Sequence, residues 1–231
     1  MIIPFNTGIY TVPEASRLTR VASPRIRRWL KEYKFFSGEH EHVSPPVWRG
    51  QLEPVDGALA LGFLDLMEIR VVDAFLRAGV SWKTLREAER RGSELFHSNH
   101  PFCTQRFETD GRAIFVDIGA NSDEPKLLEI IKNQAVFDEI TSPFFKDLEF
   151  SEDRMLERWW PLGGHRSVVV DPRRAFGKPI VADRGVPTVI LSSAAKASKS
   201  IDEVVFWYEV IKSSVVDAIE FEDSLSHAKA A

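Results

Sequence analysis

The longest apolar segment of the chain, ALALGFLDLMEIRVVDAFL at residues 58–76, restricts the fold more than any other stretch. Its apolar side chains recur with the period of an α-helix as far as Gly79, and glycine is favoured just after a helix end. Four charged residues interrupt the segment: Asp65, Glu68, Arg70 and Asp73. A membrane-spanning helix needs about 20 predominantly apolar residues, so the segment predicts a long helix of a globular protein and excludes a membrane span.

The composition is that of an ordinary globular protein. Of the 231 residues, 44% are apolar and 28% are charged, which is close to average usage. The single cysteine, Cys103, excludes an internal disulfide framework and suits a reducing cytoplasm. The first residues, MIIPFNTG, lack the basic region of a secretory signal. We therefore expect a soluble cytoplasmic protein.

The net charge of −4 conceals a strong asymmetry between the two ends of the chain. Residues 8–34 contain seven basic and two acidic side chains, whereas residues 201–224 contain one basic and seven acidic side chains. The two segments therefore carry charges of +5 and −6. Such asymmetry indicates a polyanion partner at the basic end and a different kind of partner at the acidic end.

The basic segment, YTVPEASRLTRVASPRIRRWLKEY, reads as two short helices joined by a tight turn. Thr11 and Glu14 have the spacing of a capping box, and the first helix should end near Thr19. Ser23 is the predicted N-cap of the second helix, with Pro24 at its first position.

The second helix is amphipathic, with cations on the face opposite its apolar residues. The apolar face consists of Ile26, Trp29, Leu30 and Tyr33, and the basic face of Arg27, Arg28 and Lys31, with Arg25 at its edge. A helix-turn-helix motif has this construction and places the second helix in the major groove of DNA. A helical hairpin with a solvated charged face is the alternative interpretation. The Pro-rich segment that follows, with Arg49, and a helix capped by Ser81 that carries Lys83 and Arg86, favour DNA binding.

The N-terminal residues 8–95 resemble the winged helix-turn-helix of MerR-type regulators. The resemblance rests on GIYTVPEASRLTRVASPRIRRWL, followed by a wing, a long helix and AGVSWKTLREA. It implies that Arg25, Arg27 and Arg28 lie on the recognition helix and Arg49 on the wing. The long C-terminal coiled-coil helix and the cysteines of metal-sensing members are missing here, so the resemblance does not extend to metal sensing.

The middle of the chain predicts a connecting or dimerisation region rather than a catalytic site. RFETDGRAIFVDIG predicts a β-hairpin with its turn at Asp110-Gly111, and EPKLLEIIKNQAVFDEI predicts one amphipathic helix. A helix break near Pro161 gives the best domain boundary. His97, His100 and Cys103 lie close in sequence, but Pro101 interrupts them and no C-x-x-C motif accompanies them. We therefore expect no metal, no cofactor and no enzymatic activity.

The C-terminal residues 167–225 resemble the small antitoxin domain known as domain of unknown function 433. The motifs are VVVDPRRAFGKPIVADRGVPT, which predicts two or three short strands, and SIDEVVFWYEVIKSSVVDAIEFEDSL, which predicts two serine-capped helices. Ala182-Asp183-Arg184 replaces the G-T-R found in many members. The resemblance implies the antitoxin of a type II toxin–antitoxin pair (VapB-like), whose toxin is usually a PIN-like ribonuclease.

The residues of this end favour a protein partner over DNA, because phosphate would be repelled by its negative charge. We expect Phe206, Trp207 and Phe221 to be exposed for this partner, although burial in a small core is the alternative. Two modes of toxin binding are open. In the first, the acidic residues of the last helix bind basic residues of the toxin. In the second, the basic residues of the preceding loop bind acidic residues of the toxin. The candidate toxin-binding residues are Trp207, Glu220, Glu222 and Asp223, together with Arg173, Arg174 and Lys178.

The expected fold is mainly α-helical with small β-hairpins, in three parts. A winged helix-turn-helix occupies residues 1–100, a hairpin-plus-helix region residues 101–162, and a compact helix-turn-helix-like domain residues 163–231. The predicted function is that of a DNA-binding antitoxin which neutralises a ribonuclease and represses its own operon. The alternative is a MerR-like transcription regulator with a ligand-sensing C-terminal half. A homodimer is expected, because one short recognition helix makes few base contacts and two half-sites multiply affinity.

Overall fold

The computed structural model describes residues 6–38, 40–120 and 123–227. Within these residues the protein is mainly helical, as predicted. The first seven helices are α1 (Val12–Thr19), α2 (Ser23–Leu30), α3 (Phe63–Arg77), α4 (Trp82–Phe96), α5 (Gln105–Gly119), α6 (Pro125–Lys132) and α7 (Gln134–Phe145). The last three are α8 (Thr188–Ser198), α9 (Ile201–Tyr208) and α10 (Lys212–His227). None of the helices in the described part of the chain is long and apolar enough to cross a membrane.

Short antiparallel strands form three small sheets. The strands are β1 (Tyr10–Thr11), β2 (Tyr33–Ser37), β3 (His40–Ser44), β4 (Ala60–Leu61), β5 (Leu148–Phe150), β6 (Leu156–Trp159), β7 (Val168–Val170) and β8 (Pro179–Val181). β1 pairs with β4, β2 pairs with β3, and β5 to β8 form a four-stranded sheet in chain order. The β2–β3 hairpin follows α2 and is called the wing below.

Local signals predict α1 correctly, but α2 ends at Leu30, so Tyr33 lies in β2 and not on the apolar face of that helix as predicted. Thr11 caps α1 through a capping box with Glu14, and the helix ends at Thr19 as predicted. The predicted cap of α2 is wrong by one residue, because the backbone N–H groups of Arg25 and Ile26 both bond to the carbonyl of Ala22. Ser23 is therefore the first residue of α2 rather than its N-cap.

The helix α3 is the centre of the protein, and a buried carboxylate fixes its start. The Asp65 side chain is fully buried and accepts hydrogen bonds from the Trp48 indole (3.0 Å), the Gln51 backbone N–H (3.0 Å) and the Gly62 backbone N–H (2.8 Å). Its Oδ1 also lies 2.9 Å from Nε2 of His100. One side chain thus joins the segment after the wing, the beginning of α3 and the turn that precedes α5.

The predicted hairpin at residues 106–119 is wrong, because this segment forms the helix α5. Phe107, Ile114 and Phe115 lie on one helical face and are buried. The rings of Phe107 and Phe115 pack on Phe75 of α3, with centroid distances of 6.2 and 4.9 Å. Gly111 supports this packing, since a Cβ there would lie 2.7 Å from the Phe107 ring. Aromatic burial therefore outweighs the turn preference of the Asp-Gly pair.

The single helix predicted for EPKLLEIIKNQAVFDEI is divided into α6 and α7. Asn133 lies between them with an extended backbone, and its side-chain oxygen accepts the N–H of Ala135 (3.0 Å). Asparagine favours N-cap positions over helix interiors because its side chain competes for backbone groups. The break follows from that local preference.

The predicted helix break near Pro161 is also wrong, because the preceding residues form the strand β6. Trp159 of β6 pairs with Val170 of β7, so one sheet continues across residue 162. The run after Pro187 forms the helix α8 instead of a third strand, and Ser213 and Ser214 lie inside α10 instead of capping it. The division into three domains stays a prediction.

Two apolar clusters form the core within the described residues. The larger one extends from Tyr10 and Val12 to Phe221 and Leu225, so both ends of the chain contribute to it. The smaller one lies among α8, α9 and α10, and its members include Val181, Leu191, Val204 and Val215.

A first prediction tests the buried carboxylate. Asp65→Ala should lower the free energy of unfolding by about 3–5 kcal/mol, because buried donors lose their acceptor. Glu152→Ala, at an exposed turn residue, is the control and should change it by less than about 0.5 kcal/mol. Urea unfolding measures both, and equal losses would contradict the central position of Asp65.

A second prediction concerns Glu68, which is fully buried in α3. Burial, with a smaller contribution from Glu89, raises the pKa of Glu68 well above its ordinary value of 4.5. Between the two values the folded protein binds more protons than the unfolded chain, so its stability should fall as the pH rises above 4.5. Glu68→Gln removes this titration, so the free energy of unfolding should depend less steeply on pH between about pH 5 and 8. An unchanged slope in the variant would contradict this account.

Candidate functional site

Two cations at α2, Arg27 within the helix and Lys31 just after its end, face solvent. Ile26, Trp29 and Leu30 are buried on its other face, as predicted. Arg27 and Lys31 are exposed, and neither forms an ion pair with a residue that the structure describes. Their charges are therefore available to a polyanion.

Two further arginines of α2 are positioned by their neighbours. Arg25 forms an ion pair with Asp73 of α3 (3.1 Å), and its guanidinium lies 5.3 Å from the centre of the Trp29 ring. The guanidinium of Arg28 lies 5.9 Å from the centre of the Tyr33 ring, at the start of the wing. Cations at such distances are attracted to aromatic faces, so the two side chains are partly ordered before any ligand binds.

The base of the wing is held against α2 and α4. The N–H of Val47 donates to the carbonyl of Trp29 (2.7 Å). Arg86 of α4 donates to the Ser44 hydroxyl and to the Pro45 carbonyl, both at 2.9 Å. The sequence predicts Arg86 as a DNA contact, but its N–H groups are used inside the protein. Arg86 thus supports the base of the wing, and its predicted contact with DNA stays a prediction.

Arg49 and Lys83 extend the basic surface beyond α2. Arg49 lies 3.6 Å from Glu53, and both side chains are 81% exposed. An exposed pair of this kind contributes little, so Arg49 can exchange Glu53 for another anion. Lys83 is exposed in the first turn of α4 and has no ion-pair partner in the described ranges. The basic surface is defined here as Arg25, Arg27, Arg28, Lys31, Arg49 and Lys83.

The acidic residues of α10 form ion pairs within the chain, and their predicted role at a basic toxin surface stays a prediction. Arg166 binds both Asp217 and Glu220, each at 2.6 Å. Lys196 binds Asp223, also at 2.6 Å. Three cations outside residues 201–224, namely Arg17, Arg166 and Lys196, pair with acids of α10 and offset about half of the charge of −6. The pairing of Arg166 with Glu220 could not be predicted from spacing, because the two residues are 54 positions apart in the sequence.

Glu222 is buried at a junction between the two ends of the chain. It forms an ion pair with Arg17 of α1, and it accepts a hydrogen bond from the Thr188 hydroxyl (2.5 Å). Nearby, the Tyr10 hydroxyl donates to the carbonyl of Gly177 (2.6 Å). The N-terminal segment with β1 and α1 is therefore attached to the C-terminal region by polar contacts as well as by the shared core.

The basic residues of the loop before β8 are divided between internal contacts and solvent. Arg173 forms an ion pair with Glu157 of β6 (2.8 Å), and Arg174 donates to the carbonyl of Ala182 (3.1 Å). Lys178 is exposed and has no ion-pair partner among the residues with described side chains. Two of these three predicted toxin contacts thus stabilise their own surroundings.

The three aromatic residues that were expected to be exposed in the acidic segment separate into two groups. Phe206 and Trp207 of α9 are 81% and 56% exposed, as expected for an interface. Phe221 of α10 is buried in the larger core, so the prediction that it is exposed is wrong. Ile211, in the turn between α9 and α10, is 58% exposed and was not anticipated from the sequence.

Two of the three residues considered for zinc, His100 and Cys103, have other contacts, and His97 is exposed. His100 lies against Asp65, and the Cys103 thiol is buried 3.4 Å from the carbonyl of Leu64. Burial, with a smaller contribution from the carboxylate of Glu68, raises the pKa of Cys103 well above its ordinary value. Among the described residues, no group of three or more His, Cys, Asp or Glu side chains is arranged to hold a metal ion. A cavity of about 260 Å³ lies near His97, but its described lining residues do not form such a group either.

Comparison with known proteins gives one curated relative. The chain is similar to a Mycobacterium tuberculosis (strain H37Rv) protein named "Putative antitoxin VapB45". The two are 25% identical over 234 aligned residues, which cover 94% of each chain. The fold matches the crystal structure of Rv2018 from M. tuberculosis with a TM-score of 0.71 and 22% identity, over 94% of this chain and 99% of that one. No family model matches the chain, so this comparison adds no support to either family resemblance.

Proposed function

We propose that the chain is a cytoplasmic, non-enzymatic antitoxin that binds DNA through its basic surface and a toxin through its C-terminal region. The antitoxin role is supported by the similarity to the M. tuberculosis relative along nearly the whole chain. The DNA-binding role is carried by one observation, the exposed cations of α2 beside an anchored wing. The toxin is a PIN-like ribonuclease, as the resemblance to domain of unknown function 433 implies.

The DNA ligand proposed here is the operator of the chain's own operon, bound by a homodimer. α2 has eight residues and can read only a few base pairs. Two copies on two half-sites would combine their contacts, which raises affinity without a larger surface. Repression follows if the operator overlaps the promoter.

A third prediction tests the basic surface. Arg27→Ala and Arg28→Ala should each weaken binding to the promoter DNA of the chain's own gene by about 1–3 kcal/mol if the side chains read bases. Lys132→Ala, at an exposed position at the end of α6, is the matched control. The affinity of the wild type should also fall steeply with salt, because binding releases counterions from phosphate.

Gel shifts at several salt concentrations measure these effects on the full chain. An equal loss in Lys132→Ala would mean non-specific attraction only. Unchanged affinity in both arginine variants would contradict the assignment of α2 as recognition helix.

The antitoxin role has its own test. The reading frame adjacent to the gene should encode a protein that arrests growth when expressed alone, and co-expression of the full chain should restore growth. The full chain is required because Arg17 and Glu222 join α1 to α10. Arrest without rescue would contradict the antitoxin role while leaving DNA binding intact.

A ligand-sensing regulator is the second candidate function, and one cavity favours it. The cavity has a volume of about 140 Å³ and lies where α1 meets the C-terminal region. Its lining includes Tyr10, Arg17, Lys178, Thr188 and Glu222. A ligand there would contact both ends of the chain. If a small molecule changes operator affinity and the adjacent gene product is harmless, this function replaces the first.

A further inference from the structure

The end of α9 and the turn after it expose three large apolar side chains. Phe206, Trp207 and Ile211 are 81%, 56% and 58% exposed, and together they are called the α9 surface. Val216, one helical turn after Lys212 in α10, is a further exposed apolar residue close in sequence. Single exposed apolar residues are common, but grouped ones mark interaction sites.

The α9 surface is attached to a fixed turn. Asp183 accepts hydrogen bonds from the backbone N–H of Ile211 (3.4 Å) and the hydroxyl of Ser214 (3.1 Å). Arg184 donates to the carbonyl of Glu209 (3.0 Å), whose backbone is in the left-handed region (φ 52°). Side chains on such a support lose less conformational freedom when a partner binds, which favours affinity.

The α9 surface is bordered by two exposed carboxylates. Glu203 and Glu209 are exposed and have no ion-pair partner in the part of the chain that the structure describes. Asp202, in contrast, binds Lys212 at 2.9 Å. The acids of α10 are ion-paired within the chain, whereas Glu203 and Glu209 place unpaired negative charge beside Phe206 and Trp207. A complementary partner presents an apolar recess edged by Lys or Arg.

We infer that the α9 surface is the site at which the toxin docks, an inference that rests on the proposed function. A ribonuclease must carry cations to hold the phosphates of RNA, so it offers the complementary charge. A second copy of this chain fits less well. A symmetric contact would bring Glu203 and Glu209 of both copies together, and like charges oppose association.

The test compares exposed apolar residues at two places in the full chain. Trp207→Ala and Phe206→Ala should each weaken binding to the purified product of the adjacent reading frame about 30-fold or more, as central aromatic residues of interfaces do. Met155→Ala is the matched control, because Met155 is 63% exposed in the turn between β5 and β6. It should change affinity less than about twofold. Melting temperatures close to that of the wild type would show that the variants fold.

A charge variant tests the border separately. Glu209→Lys should slow association with the same protein several-fold at low salt, and the difference should shrink as salt is added. An unchanged association rate at low salt would contradict the role assigned to the carboxylates.

The outcomes separate the inference from the proposed function. If the wild type neither binds the adjacent gene product nor restores growth, both fail. If it does both and Trp207→Ala and Phe206→Ala bind as tightly, the antitoxin role stands and the α9 surface is wrong. If these variants convert a wild-type dimer into a monomer while toxin affinity is retained, the surface binds a second copy, which also overturns the inference.

Discussion

The structure depends on the buried carboxylate of Asp65. Burying a charge away from water is costly unless hydrogen bonds replace its hydration. The Asp65 carboxylate accepts hydrogen bonds from Trp48, Gln51 and Gly62 and contacts His100. Those partners come from the segment after the wing, the start of α3 and the turn before α5. The wing that flanks α2 and the aromatic bundle around Phe75 are therefore oriented relative to each other by one group. The positions of the cations in the basic surface therefore depend on that arrangement.

Charge in this protein serves mainly to join elements that are distant in sequence. Arg17 reaches Glu222, and Arg166 reaches Asp217 and Glu220. The charge of each end taken alone therefore overstates what that end offers to a partner. What remains is smaller and more localised: the cations of α2 and its wing at one place, and Glu203 and Glu209 beside the α9 surface at another.

The features that could be predicted from the sequence are those set by residues within one helical turn of each other. The Thr11 capping box, the Ser81 cap of α4 and the helix end at Gly79 are all confirmed. The Asp110-Gly111 hairpin failed because tertiary burial of aromatic side chains overrode a local turn signal. The cations on α2 could be predicted from helical period, and the exposure of Phe206 and Trp207 from the negative charge around them. The pairing of acids on α10 could not be predicted in this way. Its partners lie up to 205 positions away, beyond any spacing rule.

The contact of Arg17 with Glu222 also limits how such proteins can be recombined. Exchange of the C-terminal half with that of another protein would leave Arg17 facing a new helix, and the cation would keep its partner only if the incoming helix carried a carboxylate at the same place. Tyr10 adds a second requirement, because its hydroxyl donates to a main-chain carbonyl of the loop before β8. The two ends are thus not interchangeable between proteins. A gene fusion would succeed only between chains that preserve both the Arg17–Glu222 and the Tyr10–Gly177 contacts.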